Sequence, residues 1–172
     1  EVGGLCTDTV QIAIGNPPIL SLTEPLDGSV YPEDAVVNFV ATVSDTEDIA
    51  SDITLSWESS LDGEFSTQGA NSNGNISFSS SSLSVGTHIM TVTATDTTGL
   101  TDSASFSLRI NSEPMIDAAA SISPNTGVVT GTTLSCIATI TDAEDGTLIP
   151  SYDWSIGGLS IGTGPTVTLN SS

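Results

Sequence analysis

The 172-residue sequence predicts an all-β fold of antiparallel sandwiches repeated in tandem. Composition, internal repetition and period-two alternation each predict it. Gly, Ser, Thr, Val and Ile dominate, and only 5% of the residues are aromatic. Short β-branched runs recur between clusters of Gly, Pro, Asn and Asp, and long runs of helix formers are missing. Such a composition suits many short strands joined by turns.

The repeat sets the organisation. VVNFVATVSDTEDIASDITLSW ends at Trp57, and TLSCIATITDAEDGTLIPSYDW ends at Trp154. Ala41, Asp45, Glu47, Asp48 and Trp57 each recur 97 positions later, as Ala138, Asp142, Glu144, Asp145 and Trp154. Upstream, Val10, Ile12, Ile14 and Pro18 recur in kind 96 positions on, as Phe106, Leu108, Ile110 and Pro114. We therefore expect the last strand or strands of a preceding repeat in residues 1–16, a complete repeat in 17–111, and the first part of a following, truncated repeat in 112–172. The Asn16-Pro17-Pro18 and Asn111-Ser112-Glu113-Pro114 segments are the linkers, because proline stiffens a joint and cannot continue a central strand. The chain is expected to be an excerpt of a longer polypeptide.

A repeat of this length suits an immunoglobulin-like sandwich of about seven strands. Val37, Phe39, Ala41 and Val43 share one face of a B-like strand, and Leu134, Cys136, Ala138 and Ile140 share it in the next repeat. Ile53, Leu55 and Trp57 do so on a C-like strand, with the Trp expected in the core. His88, Met90, Val92 and Ala94 form the face of an F-like strand, and Ala104, Phe106, Leu108 and Ile110 that of a G-like strand. This alternation belongs to half-buried antiparallel strands. Gly86, Gly99 and Asp62-Gly63 mark turns. The expected fold class is thus all-β, tandem immunoglobulin-like antiparallel β-sandwich repeats in an extended array.

Charge excludes some functions. The chain has 21 acidic residues and a single basic one, Arg109, for a net charge of −20. Nothing is available to neutralise nucleic-acid phosphates or to dock on anionic lipid. No stretch reaches the roughly 18 apolar residues of a membrane span. Acidity favours solubility and divalent cations.

The strings SDTEDIASDITLSWESSLDGEF and LSVGTHIMTVTATDTTGLTDSASFSLRIN resemble the bacterial Ig-like, PKD-like and cadherin-like repeats of large secreted and surface proteins. The resemblance covers nearly the whole chain. It implies an extracellular or cell-surface location, and it suits adhesins, stalks, filaments and spacers alike. TTLSCIATITDAEDG with SYDWSIGG resembles a related subtype in which a B-strand Cys pairs with an F-strand Cys; this implies such a pairing for Cys136, with the partner outside the sequence. Cys6 takes an F–G-like position and either bridges upstream sequence or is free.

The strongest chemical signal is the Asp45-x-Glu47-Asp48 cluster and its copy Asp142-x-Glu144-Asp145. Each follows strand B and so lies in the B–C loop, at the end shared with the F–G loop. Asp96 opens that F–G turn, and Asp102 lies farther along it. Calcium takes six to eight oxygens from carboxylates, carbonyls and water. Calcium at the inter-repeat joints is the expected cofactor, with Asp45, Glu47, Asp48, Asp96, Asp142, Glu144 and Asp145 as ligands and Asn16, Asn111 or Glu113 completing the shell. The alternative is that these acids cap turns and face solvent.

Other polar residues point elsewhere or nowhere. His88 is the sole histidine and is expected to be structural; no spacing singles out a catalytic Ser, and no second His supports zinc. No enzymatic activity is expected. Asn75-Ile76-Ser77 and Asn170-Ser171-Ser172 fit a glycosylation sequon. The leading expectation is a structural or adhesive segment of a stalk or filament. Its partners are neighbouring repeats and, in a multimeric filament, identical chains joined at open sheet edges. The alternatives are a glycan- or protein-binding module, using the Leu61–Phe65 loop with Phe65, Tyr31 or Tyr152 as an aromatic platform, and an accessory region of a secreted hydrolase.

Overall fold

The computed structural model describes residues 14–170. The chain divides into two compact units, Glu1–Ile110 and Asn111–Ser172. The expected tail of a preceding repeat, with Cys6, falls almost wholly outside the described residues.

The first unit contains β1 (Ile19–Glu24), β2 (Ser29–Pro32), β3 (Val37–Ser44), β4 (Thr54–Ser59), β5 (Gly63–Ser66), β6 (Asn75–Ser80), β7 (Gly86–Thr95) and β8 (Thr101–Asn111). They form two sheets, ordered β1-β3-β6 and β2-β8-β7-β4-β5. Pairing is antiparallel between β1 and β3, β3 and β6, β4 and β7, and β7 and β8. The chain changes sheet between β1 and β2, and Asp27 fastens the crossing. Its carboxylate accepts the N–H of Ser107 at 2.8 Å and the Ser107 hydroxyl at 2.7 Å, while Gly28 N–H donates to the Ser107 carbonyl at 2.9 Å.

The strand faces are those the alternation predicts. Val37, Phe39, Ala41 and Val43 are buried from β3, Leu55 and Trp57 from β4, His88, Met90, Val92 and Ala94 from β7, and Phe106, Leu108 and Ile110 from β8. Phe39 packs edge-on against Trp57 with centroids 5.8 Å apart and stacks on Phe78 at 4.9 Å. Full burial of each large apolar side chain contributes about 1.5–3 kcal/mol, so this cluster is the principal stabilising feature. The Trp57 indole N–H finds a partner in the Gln68 carbonyl at 3.2 Å.

Gly74 shows why one turn residue is obligatory. Its φ is +81°, and a Cβ there would run into the Val43 carbonyl oxygen. Its own carbonyl accepts the Val43 N–H at 2.9 Å, so the loop backbone lies directly against β3.

The second unit contains β9 (Met115–Ser123), β10 (Thr133–Asp142), β11 (Gly146–Leu148), β12 (Asp153–Ile156), β13 (Leu159–Thr163) and β14 (Thr166–Thr168). β10 pairs with β9 along one edge and with β11 and β14 along the other; β12 and β13 form a separate hairpin. β9, β10, β12, β13 and β14 repeat β1, β3, β4, β5 and β6 in order and in partner. β11 has no counterpart: after Asp142 the chain turns back onto β10, whereas the first unit makes a short 3-10 turn at Ala50–Asp52. Trp154 again donates its indole N–H to a loop carbonyl, that of Gly164 at 2.8 Å.

Candidate functional site

The D-x-E-D loop folds the same way in both units, and each residue has a separate task. The aspartate that opens it builds the turn. Asp45 Oδ1 accepts the backbone N–H of Glu47 at 2.7 Å and of Asp48 at 3.0 Å. Asp142 Oδ1 accepts the N–H of Glu144 and of Asp145, both at 3.0 Å. A short side chain that satisfies its own downstream amides is the usual reason Asp is chosen for such turns.

With the turn set, the glutamate reaches back to the segment that enters its own unit. Glu47 Oε1 accepts from Asn16 Nδ2 at 2.8 Å, and Oε2 faces the Asn16 backbone N–H at 3.4 Å. Glu144 Oε2 accepts the Ser112 backbone N–H at 3.0 Å and the Ser112 hydroxyl at 2.8 Å. The residue held is Asn16 in the first unit and Ser112 in the second. Asn111 donates through Nδ2 to the Ser112 carbonyl at 2.7 Å.

The final aspartate of the first cluster crosses to the turn between β7 and β8. Asp48 Oδ2 accepts the Thr97 N–H at 3.0 Å and the Thr97 hydroxyl at 2.9 Å. Asp96 closes that turn on itself: its Oδ1 accepts the N–H of Thr98 and of Leu100, both at 2.8 Å, and the Thr98 hydroxyl at 2.9 Å. The two loops share one end of the sandwich, as expected. Asp102 is not in the loop: it belongs to β8, and its Oδ2 accepts the Leu20 N–H at 2.9 Å, tying β8 to β1.

These bonds control ionisation. The N–H donors of Asp48 and Glu47 hold the Asp45 carboxyl below the usual carboxylate range, against burial and the nearby Asp96 charge. Burial pushes Asp96 up, but donors from Leu100, Thr98 and Gly99 outweigh it and hold this carboxyl low as well. Two neighbouring carboxylates are thus kept charged, and Asp45 Oδ2 is buried without a hydrogen-bond partner among the described residues. No group of three His, Cys, Asp or Glu side chains suited to a metal ion occurs among those residues. A calcium ion beside Asp45 and Asp96 would draw its remaining oxygens from backbone carbonyls and water.

One other polar cluster surrounds His88. His88 is fully buried: Nε2 donates to the Ser84 carbonyl at 2.7 Å, since a carbonyl only accepts, and Nδ1 accepts from the Ser59 hydroxyl at 2.7 Å. Asp62 lies 3.6 Å from that same Nδ1. The ring's partners are thus Ser59 and Asp62 on one nitrogen and the Ser84 carbonyl on the other. Of the candidate aromatics, Phe65 and Tyr31 pack partly buried against the core, and the half-buried Tyr152 accepts the Ala138 N–H on its hydroxyl at 3.3 Å. Cys136 is half-buried on β10 and forms no disulfide among the described residues. Asn75 is exposed on β6, at the edge of its sheet.

No protein-family model matches the chain, and no curated protein matches it. The solved structures it loosely resembles include three. The fibronectin(III)-like modules of CbhA from Clostridium thermocellum share 12% identity at a TM-score of 0.44, over 90% of this chain and 80% of that one. Dimeric latent PorU from Porphyromonas gingivalis shares 18% at 0.41, over 90% of this chain and 16% of that one. SGBP-B from the mixed-linkage glucan utilization locus of Bacteroides ovatus, solved with a mixed-linkage heptasaccharide, shares 14% at 0.38, over 91% and 62%. The class of protein is all-β, with a two-sheet antiparallel sandwich as its first unit and most of the same strand plan repeated in its second.

Proposed function

We propose that the chain is a structural segment of an extracellular protein, a stalk or filament of tandem sandwich repeats, in which the D-x-E-D loop fastens each repeat to its own entry segment. One observation carries this reading: Glu47 holds Asn16, and Glu144 holds Ser112, through loops that Asp45 and Asp142 build alike. A chain under tension transmits load through the segments that enter and leave each unit, and a charged hydrogen bond across that entry resists peeling of the first strand. The test is single-molecule pulling between the chain ends. Glu47→Ala should lower the force at which β1 peels from β3, and an unchanged force would sink the reading.

A second reading, calcium beside Asp45 and Asp96, is favoured by the buried, unpartnered Asp45 Oδ2 next to a second charged carboxylate. Thermal unfolding in calcium and in EDTA separates the two. A higher melting temperature in calcium, lost in Asp45→Asn, supports a metal-stiffened loop; superimposable curves leave the hydrogen-bonded clasp as the whole device.

A further inference from the structure

We propose that the open face of the second unit is an acceptor for an antiparallel β-hairpin of the β7–β8 kind, carried on the same polypeptide after β14 and pairing with the free edge of β12.

The two units carry the same face in different states. In the first, Val37, Phe39, Ala41 and Val43 are at most 2% exposed. Their counterparts Leu134, Cys136, Ala138 and Ile140 are all only half-buried. Ile156 shares a face with Trp154 on β12 yet is 59% exposed, whereas its counterpart Ser59 is 4% exposed. Only Trp154 and Val167 are buried hydrophobics among the described residues of this unit. A groove lined in part by Val128, Val129, Ile161 and Leu169 takes in the exposed Ile156.

The first unit shows what covers this face. β4 has β5 on one edge and β7 on the other, and β7–β8 supply Met90, Val92, Ala94, Phe106, Leu108 and Ile110 to the core. β12 has β13 on one edge, and no strand among the described residues on the other. An uncovered apolar face bordered by an unpaired strand edge is an unstable arrangement that a hairpin resolves in one step, by backbone pairing and burial together. Element order favours the same polypeptide: β7 follows β6 after a five-residue loop, and β14 takes the place of β6.

The face also selects the hairpin. Its first strand should present alternating apolar residues toward Trp154. At the place of His88 it should carry an apolar residue, because the Ser59 hydroxyl that satisfies His88 is replaced by the alkyl chain of Ile156.

Amide hydrogen exchange on the 172-residue chain tests the proposal, compared with the chain extended after Ser172 by a second copy of residues 82–111 that carries His88→Leu. A third protein carries the same extension with Met90→Asp and Val92→Asp in the added copy. Fast exchange is expected at Asp153–Ile156 in the unextended chain, slowed at least about tenfold by the intact extension alone, since protection tracks local opening. Three results would overturn the proposal. These are β12 protection equal to that of β4 in the unextended monomer, protection that rises with protein concentration (a second copy covers the face), and extensions that change nothing or act alike.

Discussion

Ser59 Oγ lies 2.7 Å from His88 Nδ1, and the same oxygen accepts the backbone N–H groups of Leu61 at 3.1 Å and Asp62 at 3.2 Å. One buried hydroxyl therefore satisfies a histidine ring and the β4–β5 turn at once. Ser59→Ala leaves three polar groups without this partner, and we expect a loss of about 2–3 kcal/mol. A urea midpoint within error of wild type would show that the turn relaxes at no cost.

Gly74→Ala should be costly at this buried position. The positive φ and the Val43 carbonyl both oppose a Cβ, so the loop must move off β3 and lose the Val43 N–H bond to it. Strain of this kind costs about 1–3 kcal/mol, and the lost bond about 1 kcal/mol more. Equilibrium urea unfolding measures it, with Gly63→Ala as a control that shares the positive φ but meets nothing within 4 Å.

Removal of the clasp should act locally. Glu144→Ala is expected to speed amide exchange at Ser112, whose N–H it accepts, while the urea midpoint falls by less than the equivalent of about 1 kcal/mol. Glu144→Gln keeps an acceptor and should restore part of the protection.

Acid should weaken the first unit before it affects the apolar core. Asp27, Asp45 and Asp96 all have folded-state values below the ordinary one, so folding favours their ionised forms. Their contribution is complete above the unfolded carboxylate value of about 3.9 and disappears as the pH falls below it through the lowered values. Urea midpoints should be flat from neutrality to about pH 5 and then fall steeply. Asp45→Asn should flatten that fall, since it removes one of the linked protons; an equally steep fall in the variant would remove Asp45 from the account.

The strand faces were legible in the sequence because period-two alternation has a single solution once one face is buried: Phe39, Trp57, Met90 and Leu108 fall where the pattern puts them. The acidic cluster was legible as a site and not as a geometry. Spacing shows that Asp45, Glu47 and Asp48 are close, yet a carboxylate's partner is decided by which amide lies within 3 Å, and the loop backbone settles that. Asp142 turning onto β11 makes the point, since the same motif leads into a hairpin in one unit and a 3-10 turn in the other. Phe65, read as a loop-tip aromatic, lies on β5 and packs partly buried beside Phe39 and Phe78.

The lone arginine sits in β8 between Leu108 and Ile110, both at most 2% exposed, with its backbone paired across to Thr87. With no lysine anywhere in the sequence, Arg109–Ile110 is the one peptide bond a trypsin-like protease can recognise, and it is locked inside a ladder. Cleavage there requires β8 to leave its sheet, so digestion by such enzymes reports unfolding of the first unit and little else. Against trypsin-like enzymes, the survival of these 172 residues follows the stability of one sandwich.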